Sequence, residues 1–293
     1  MWHYILGVIY LFLCIISIIG NGMVIYLFAK CQALRTPANI LVVNLALSDL
    51  IMLTTNVPFF TYNCFNGGVW MFSPTYCEIY GCLGAITGVT SIWLLCMISF
   101  DSWAISIGFA IAPFFGWGKY TLEGILDSCS YDYLTQDFNT RSYNIVMFVV
   151  DYFLPAAITI SYAFIVKAIF AQEAAMRAQA KKMNVTTLRS GRSVSLRQPL
   201  STFSMWFICW TPYAIISLQG VMGDVSGITP LVTTLPALLA KSCSCYNPFV
   251  YAISHPKYRL AITQYMPWFC VHETETKSNV DSQSNSTVAQ DKA

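Results

Sequence analysis

Residues 4–29 pass without a charged side chain, and six further stretches hold at most two charges each: 38–62, 77–101, 102–117, 143–171, 200–222 and 227–252. About 20 mostly apolar residues suffice for a helix to cross the hydrocarbon core of a bilayer. In lipid every backbone N–H and C=O must be satisfied within the protein, which restricts spanning segments to helices or closed barrels. Runs this long and this apolar predict helices. The rest of the composition agrees: 56% of the 293 residues are hydrophobic and 10% are charged, against roughly 25% charged in soluble domains. The fold class predicted is an all-α membrane protein, a seven-transmembrane helix bundle with a truncated fourth helix. A short amphipathic helix is expected after the seventh span. Residues 1–271 read as one domain and 272–293 as a polar, disordered tail.

Several function classes are excluded early. A net charge of +2 implies no nucleic-acid partner. The eleven cysteines show no C-x-x-C metal spacing, and Cys243 and Cys245 on one apolar helix are not a zinc knuckle, so no metal site is predicted. No acid–base constellation gathers at one place, so no enzyme is predicted. No inverted repeat with matched helix breaks supports a transporter. Residues 4–29 are too long for a cleaved signal and read as a helix that serves as its own insertion signal.

Basic residues orient the spans. Arg177, Lys181, Lys182, Arg189, Arg192 and Arg197 crowd the segment between the fifth and sixth runs, whereas the opposite face has Lys119 and Arg141. By the positive-inside rule the N-terminus is outside and the C-terminus cytoplasmic. Residues 172–189 are Ala-rich with spaced charges and read as a helical extension of the fifth span. It serves either as a solvated helix or as a docking surface for a cytoplasmic partner.

Lys241 stands in the wrong solvent. It lies within LPALLAKSCSCYNPFVYA, deep in the seventh run. A charged Lys at the bilayer centre costs about 2.5–3.5 kcal/mol on insertion scales. Three roles suit such a residue: an ion-pair partner, a proton or ion relay, or a desolvated amine used for covalent chemistry with an aldehyde. The residues alone leave these open.

The surrounding motifs narrow the choice. Asn247-Pro248-Phe249-Val250-Tyr251 follows Lys241, Cys209-Trp210-Thr211-Pro212-Tyr213 lies in the sixth run, Asn44 through Asp49 in the second and Gly20-Asn21 in the first; Cys77 opens the third and Cys129 falls in the second outer loop. In this order they resemble the rhodopsin-like G-protein-coupled receptors. TPANILVVNLALSDL, QAKKMNV and NPFVYAISHPKYR are similar to arthropod visual opsins of the rhabdomeric type.

The resemblance implies a light-sensing receptor that holds retinal (11-cis-retinal or 3-hydroxyretinal) as a protonated Schiff base on Lys241. It implies Glu123 as counterion, because Tyr80 stands where vertebrate visual opsins carry a Glu, and Tyr80 as a hydrogen-bonding neighbour. Glu78 is expected at the rim. It further implies Trp210 and Tyr213 in the retinal pocket, a Cys77–Cys129 disulfide, a polar network of Asn21, Asp49 and Asn247, and an activation motif of Asn247, Pro248 and Tyr251. Cys270 is a candidate palmitoylation site. The partners implied are the lipid bilayer, a heterotrimeric G protein of Gq type, and arrestin and a receptor kinase at the tail. The place implied is the multi-pass plasma membrane of a rhabdomeric photoreceptor. A receptor for a diffusible ligand, with Lys241 as an ion-pair partner, is the alternative.

The chain also departs from the family. The third run ends in SFD at Asp101 and continues with SWAISIGFAIAPFFGWG. The family has Arg-Tyr after that Asp, then a cytoplasmic loop and the first half of helix four, about two dozen residues in all. A second gap is expected before the sixth span, where Pro199 sits. Both touch the cytoplasmic half, so the retinal pocket is expected to be encoded while coupling is impaired.

Overall fold

A computed structural model describes residues 2–96, 99–182, 192–254 and 256–269. Nine α-helices and one β-hairpin are found among the described residues: α1 Trp2–Lys30, α2 Pro37–Phe65, α3 Pro74–Leu95, α4 Ser99–Ile111, β1 Tyr120–Glu123, β2 Ser128–Tyr131, α5 Phe138–Phe148, α6 Leu154–Lys182, α7 Arg192–Val221, α8 Pro230–Ser254 and α9 Pro256–Tyr265. α5 and α6 form one continuous span through a π-helical turn at Val149–Phe153. Seven helical spans therefore make an all-α bundle, with α1 against α2 and α8, α3 against α2, α4 and α7, and α7 against α6 and α8.

Local chemistry sets the helix starts. Thr36 caps α2 by accepting from the Asn39 amide, with Pro37 in the first turn where its missing N–H costs nothing. Asp137 caps α5 by accepting from the Thr140 amide at 2.9 Å. The π turn falls just before Pro155, which has no N–H to offer the carbonyl four residues back. α9 buries Tyr258, Ala261 and Ile262 against Val24, Leu27 and Tyr251 and leaves Lys257 exposed, the i, i+3, i+4 stripe of an amphipathic helix.

The third and fourth spans differ from expectation. Hydropathy predicts a third helix reaching Asp101, but α3 ends at Leu95, and Asp101 lies exposed in the first turn of α4. The physical reason is the reversal. Two antiparallel neighbours need a reversal between them, and the sequence offers no loop, so Ser99 to Asp101 at the foot of the expected third helix become the first residues of α4. α4 has 13 residues, about 20 Å at 1.5 Å per residue. A 3-10 turn at Ala112–Phe115 extends it toward the roughly 30 Å of a hydrocarbon core. α7 starts at Arg192, earlier than the expected 200, and runs through Pro199. Residues 183–189 of the expected extension, the tail 272–293 and Cys270 lie outside the described residues.

Candidate functional site

The site is built where α3, α7, α8 and the β-hairpin meet. β1 and β2 pair antiparallel, with Glu123 opposite Ser128 and Leu122 opposite Cys129. Cys129 is bonded to Cys77 in the first turn of α3, with Cα atoms 5.4 Å apart. That bond pins the hairpin across one end of the bundle. The turn of the hairpin is pinned a second time: the Ile125 amide donates to Thr234 Oγ1 of α8 at 3.2 Å. Gly124 has φ +65°, and a Cβ there would land on that same Thr234 hydroxyl. Glycine is therefore required twice, for its conformation and for its close approach.

Two adjoining cavities lie beneath the hairpin. The smaller is lined by Lys241, Glu123, Asn56, Ala237 and neighbouring residues. The larger is lined by Ile92, Met147, Phe148, Asp151, Tyr152, Trp206 and others. Gly84, Tyr131, Trp210 and Tyr213 line both, so the two form one passage with an aromatic waist. Lys241 is the only amine among the described residues lining it.

Lys241 Nζ lies 3.5 Å from the Tyr80 hydroxyl and stands over two rings, Tyr80 at 5.3 Å and Tyr10 at 5.9 Å from their centroids. A cation over aromatic faces gains electrostatic stabilisation that partly replaces lost water. Tyr80 is itself fixed by edge contacts from Trp70 and Phe59. Asn56 donates to the Met52 carbonyl at 2.9 Å, while its Oδ1, buried beside the same cavity, has no partner among the described residues. An orphaned acceptor at the amine end of a passage is a place for a donor.

Glu123 is 6% exposed and accepts from the Tyr133 hydroxyl at 2.9 Å. Burial pushes its carboxyl above the ordinary range; the charge on Lys241 and the hydroxyls of Tyr133, Tyr213 and Ser130 pull it back. Glu123 and Lys241 do not touch. Among the described residues no carboxylate oxygen comes within 4.0 Å of Lys241 Nζ. The two groups act on each other across the cavity. Glu78 is exposed.

At the waist, Trp210 donates from Nε1 to Cys243 Sγ at 3.4 Å and stacks on Trp206, centroids 5.3 Å apart. Gly88 makes room for it, since a Cβ there would come 3.1 Å from the Trp210 ring. The Tyr213 hydroxyl bonds Ser130 Oγ of β2 at 2.8 Å, tying α7 to the hairpin.

Below the passage, Asp49 is fully buried and accepts from Asn247 at 2.7 Å, Ser244 at 3.1 Å and Ser91 at 3.3 Å. Asn21 joins through the Ser244 carbonyl at 2.9 Å. So Asn21, Asp49 and Asn247 are brought into one network. Pro248 lies inside α8 against Gly20 of α1, and Tyr251 is buried among Val24, Leu27 and Tyr258. Asp151, Tyr10 and Tyr133 were not singled out from the sequence. An acidic residue within the fifth apolar run was the available signal for Asp151; the two tyrosines gave none.

Three comparisons bear on this arrangement. The model of the 7 transmembrane receptor (rhodopsin family) matches residues 20–101 and 102–251. The compound eye opsin BCRH2 of Hemigrapsus sanguineus is 75% identical over all of this chain and 86% of its own length, and the lateral eye opsin of Limulus polyphemus is 41% identical over 98% of this chain and 85% of its own. The crystal structure of squid rhodopsin superposes with a TM-score of 0.85 at 35% identity, covering 96% of this chain and 90% of the other. The family match breaks between Asp101 and Ser102, where the loop was expected to be missing. The crab alignment runs over 326 positions against 293 residues here, so about 33 positions of that opsin face no residue of this chain.

Proposed function

Because this chain belongs to the rhodopsin family of seven-transmembrane receptors, among the arthropod visual opsins, we propose that Lys241 is the amine that takes up retinal and that the cytoplasmic gap weakens coupling to the G protein. The protein is a multi-pass membrane receptor for light, not an enzyme, and its partner class is the G proteins. One observation carries the finer reading: a single primary amine at the end of an aromatic-walled passage, with a buried carboxylate on the same wall. The residues present fit the group. An aldehyde needs an amine, a polyene needs an apolar sleeve, and a cationic nitrogen needs a negative charge within reach.

Retinal, when bound, supplies the absorption of visible light and a change of shape. The chain's own residues do the rest. Lys241 holds one end. Tyr80 and Asn56 Oδ1 offer hydrogen-bond positions beside it. Glu123 supplies the counter charge across the cavity, held in place by Tyr133. Trp210 and Tyr213 grip the middle, and the disulfide-pinned hairpin keeps water out. Trp210 bonds α8 through Cys243, which adjoins Ser244 and Asn247, the partners of Asp49 on the same helix. A change of shape at the waist thus reaches the Asn247-Pro248-Tyr251 segment through contiguous packing, biasing the bundle toward a second arrangement.

The finer assignments rest on the family resemblance and the charge pattern. The N-terminus is outside, the tail cytoplasmic, and the membrane rhabdomeric. The G protein is of Gq type, with arrestin and a receptor kinase acting at the tail and a lipid on Cys270. The ligand is 11-cis-retinal or its 3-hydroxy form. Coupling is impaired, because Asp101 stands in α4 rather than at the foot of α3 and the loop that succeeds it in relatives is missing.

Two experiments test this. Borohydride reduction of the retinal-treated chain, then peptide mapping, should leave the label on the peptide carrying Lys241; label on another lysine would refute the assignment. Light-stimulated nucleotide exchange on a Gq-type protein should be weak for this chain and should rise when the crab opsin's segment is inserted between Asp101 and Ser102. Equal exchange with and without the insert would refute the impairment.

A further inference from the structure

Asp127 stands at the tip of the hairpin, in the turn between β1 and β2, on the same loop as Glu123. Its side chain has no exposed surface. Three elements meet there. The Asn63 side-chain amide of α2 donates to the Asp127 backbone carbonyl at 3.1 Å, and the Cys64 thiol donates to its Oδ2 at 3.2 Å. His3, in the first turn of α1, sets Nδ1 3.4 Å from the same oxygen and keeps 31% of its own side chain exposed. Gly68 gives the imidazole its seat, since a Cβ there would fall on the ring. The other oxygen, Oδ1, is buried and has no hydrogen-bond partner among the described residues. His3 is thus the partner through which this carboxyl meets solvent.

A buried carboxylate is costly unless a cation or several donors compensate it. Burial pushes the Asp127 carboxyl above the ordinary range; the Cys64 thiol and His3 pull it back without cancelling the rise. A hairpin that lifts returns the carboxyl to water and to an ordinary value of about 3.9. In acid the carboxyl is protonated in both arrangements, and closing carries no charge cost. As pH rises past the ordinary value, the lifted arrangement sheds its proton first and gains on the closed one, until the closed carboxyl ionises as well. The imidazole acts in the same direction, because its cation compensates the buried carboxylate and is lost in alkali. The other titratable groups acting around Asp127 are Cys64 of α2, Tyr10 of α1 and Tyr80 of α3, with Lys241 of α8 and Glu123 of the hairpin. Thiols and phenols ordinarily hold their protons to about pH 8.5 and 10. Lys241 and Glu123 are the charge pair of the retinal site.

We propose that Asp127 and His3 form a proton-operated latch: while the pair holds its proton the hairpin tip is seated on α1 and α2 with Glu123 in place, and loss of that proton releases it. Both are positioning residues. The proposal rests on the reading that the hairpin closes the retinal passage and carries the counter charge.

The test compares the full chain in lipid nanodiscs, treated with 11-cis-retinal, with Asp127→Asn and His3→Gln between about pH 4.5 and 8. Asn keeps the shape of the acid. Dividing each hydroxylamine bleaching rate by that of Asp127→Asn at the same pH cancels the reagent's own titration. The ratio for the unmodified chain should climb with pH by about tenfold, the equivalent of one pKa unit. His3→Gln should climb further, because the carboxylate has lost its cation. A merely structural role would leave both ratios level. Alkylation of Cys64 by a water-soluble maleimide, mapped to its peptide and divided in the same way, should follow the same curve with or without retinal. A level or falling ratio, or His3→Gln tracking the unmodified chain, would overturn the latch while leaving Lys241 in place. A chain giving no Lys241-dependent band would overturn the retinal reading instead, and Cys64 alkylation would still decide the latch.

Discussion

Gly124→Ala should loosen the hairpin that closes the retinal passage. Two costs can be worked from the structure. The residue sits at φ +65°, where an alanine costs about 1–2 kcal/mol relative to glycine. The added Cβ also lands on Thr234 Oγ1, which must turn away from the Ile125 amide that it accepts from at 3.2 Å. That hydrogen bond is worth about 1 kcal/mol. Together the two terms come to about 2–3 kcal/mol, or roughly 30–150-fold in an opening equilibrium. The assay is the rate at which hydroxylamine bleaches the dark pigment, since attack requires the hairpin to lift. Thr234→Ala removes the bond from the Ile125 amide, together with the hydroxyl's own 2.7 Å donation to the Pro230 carbonyl within α8, and leaves the backbone of Gly124 unstrained; it should speed bleaching about fivefold. The double variant should bleach no faster than Gly124→Ala, because the bond is already lost there. Multiplying effects in the double variant, or an unchanged rate for Gly124→Ala, would refute this account of the hinge.

Three further outcomes are expected. Glu123→Gln removes the charge that faces Lys241, so the visible band should titrate away on raising pH about 1–3 units earlier than in the unmodified chain; an unmoved titration would point to another counterion. Asn247→Ala leaves Asp49 without its 2.7 Å donor and should cost about 1.5–3 kcal/mol of stability, read from thermal unfolding in detergent. At Asp132, burial raises the carboxyl, but hydrogen bonds from Thr135, the Lys119 ammonium and the Leu134 amide outweigh it and hold the pKa below the usual value. A depressed carboxylate contributes stability above the unfolded value of about 3.9, lost as pH falls through the folded one. The thermal advantage over Asp132→Asn should therefore be full near neutrality and vanish in acid.

Much of this architecture was legible because a bilayer permits so little. Seven apolar runs could become little other than seven helices, and Lys241 announced itself by its cost. The order of Gly20-Asn21, Asp49, Cys77, Trp210 and Asn247-Pro248 located the polar network and the pinned hairpin. The foot of the third span was not legible. Its residues read as helix on hydropathy, and only the need to reverse direction without a loop moved Asp101 into α4. The distance between Glu123 and Lys241 was hidden too, since charge pairing in a list of residues says nothing of the cavity between them. Tyr10 under the ammonium comes from α1, 231 positions away, and no local pattern links the two. Asp151 could have been noticed as an acid in an apolar run; that it lines the larger cavity needed coordinates.

The central claim is that Lys241 makes this chain a light absorber, and the absorption spectrum tests it most directly. The expressed chain, treated with 11-cis-retinal in the dark, should gain a visible band that Lys241→Ala abolishes while the variant still inserts in the membrane. A band that survives the substitution, or no band in a well-inserted unmodified chain, would contradict the account.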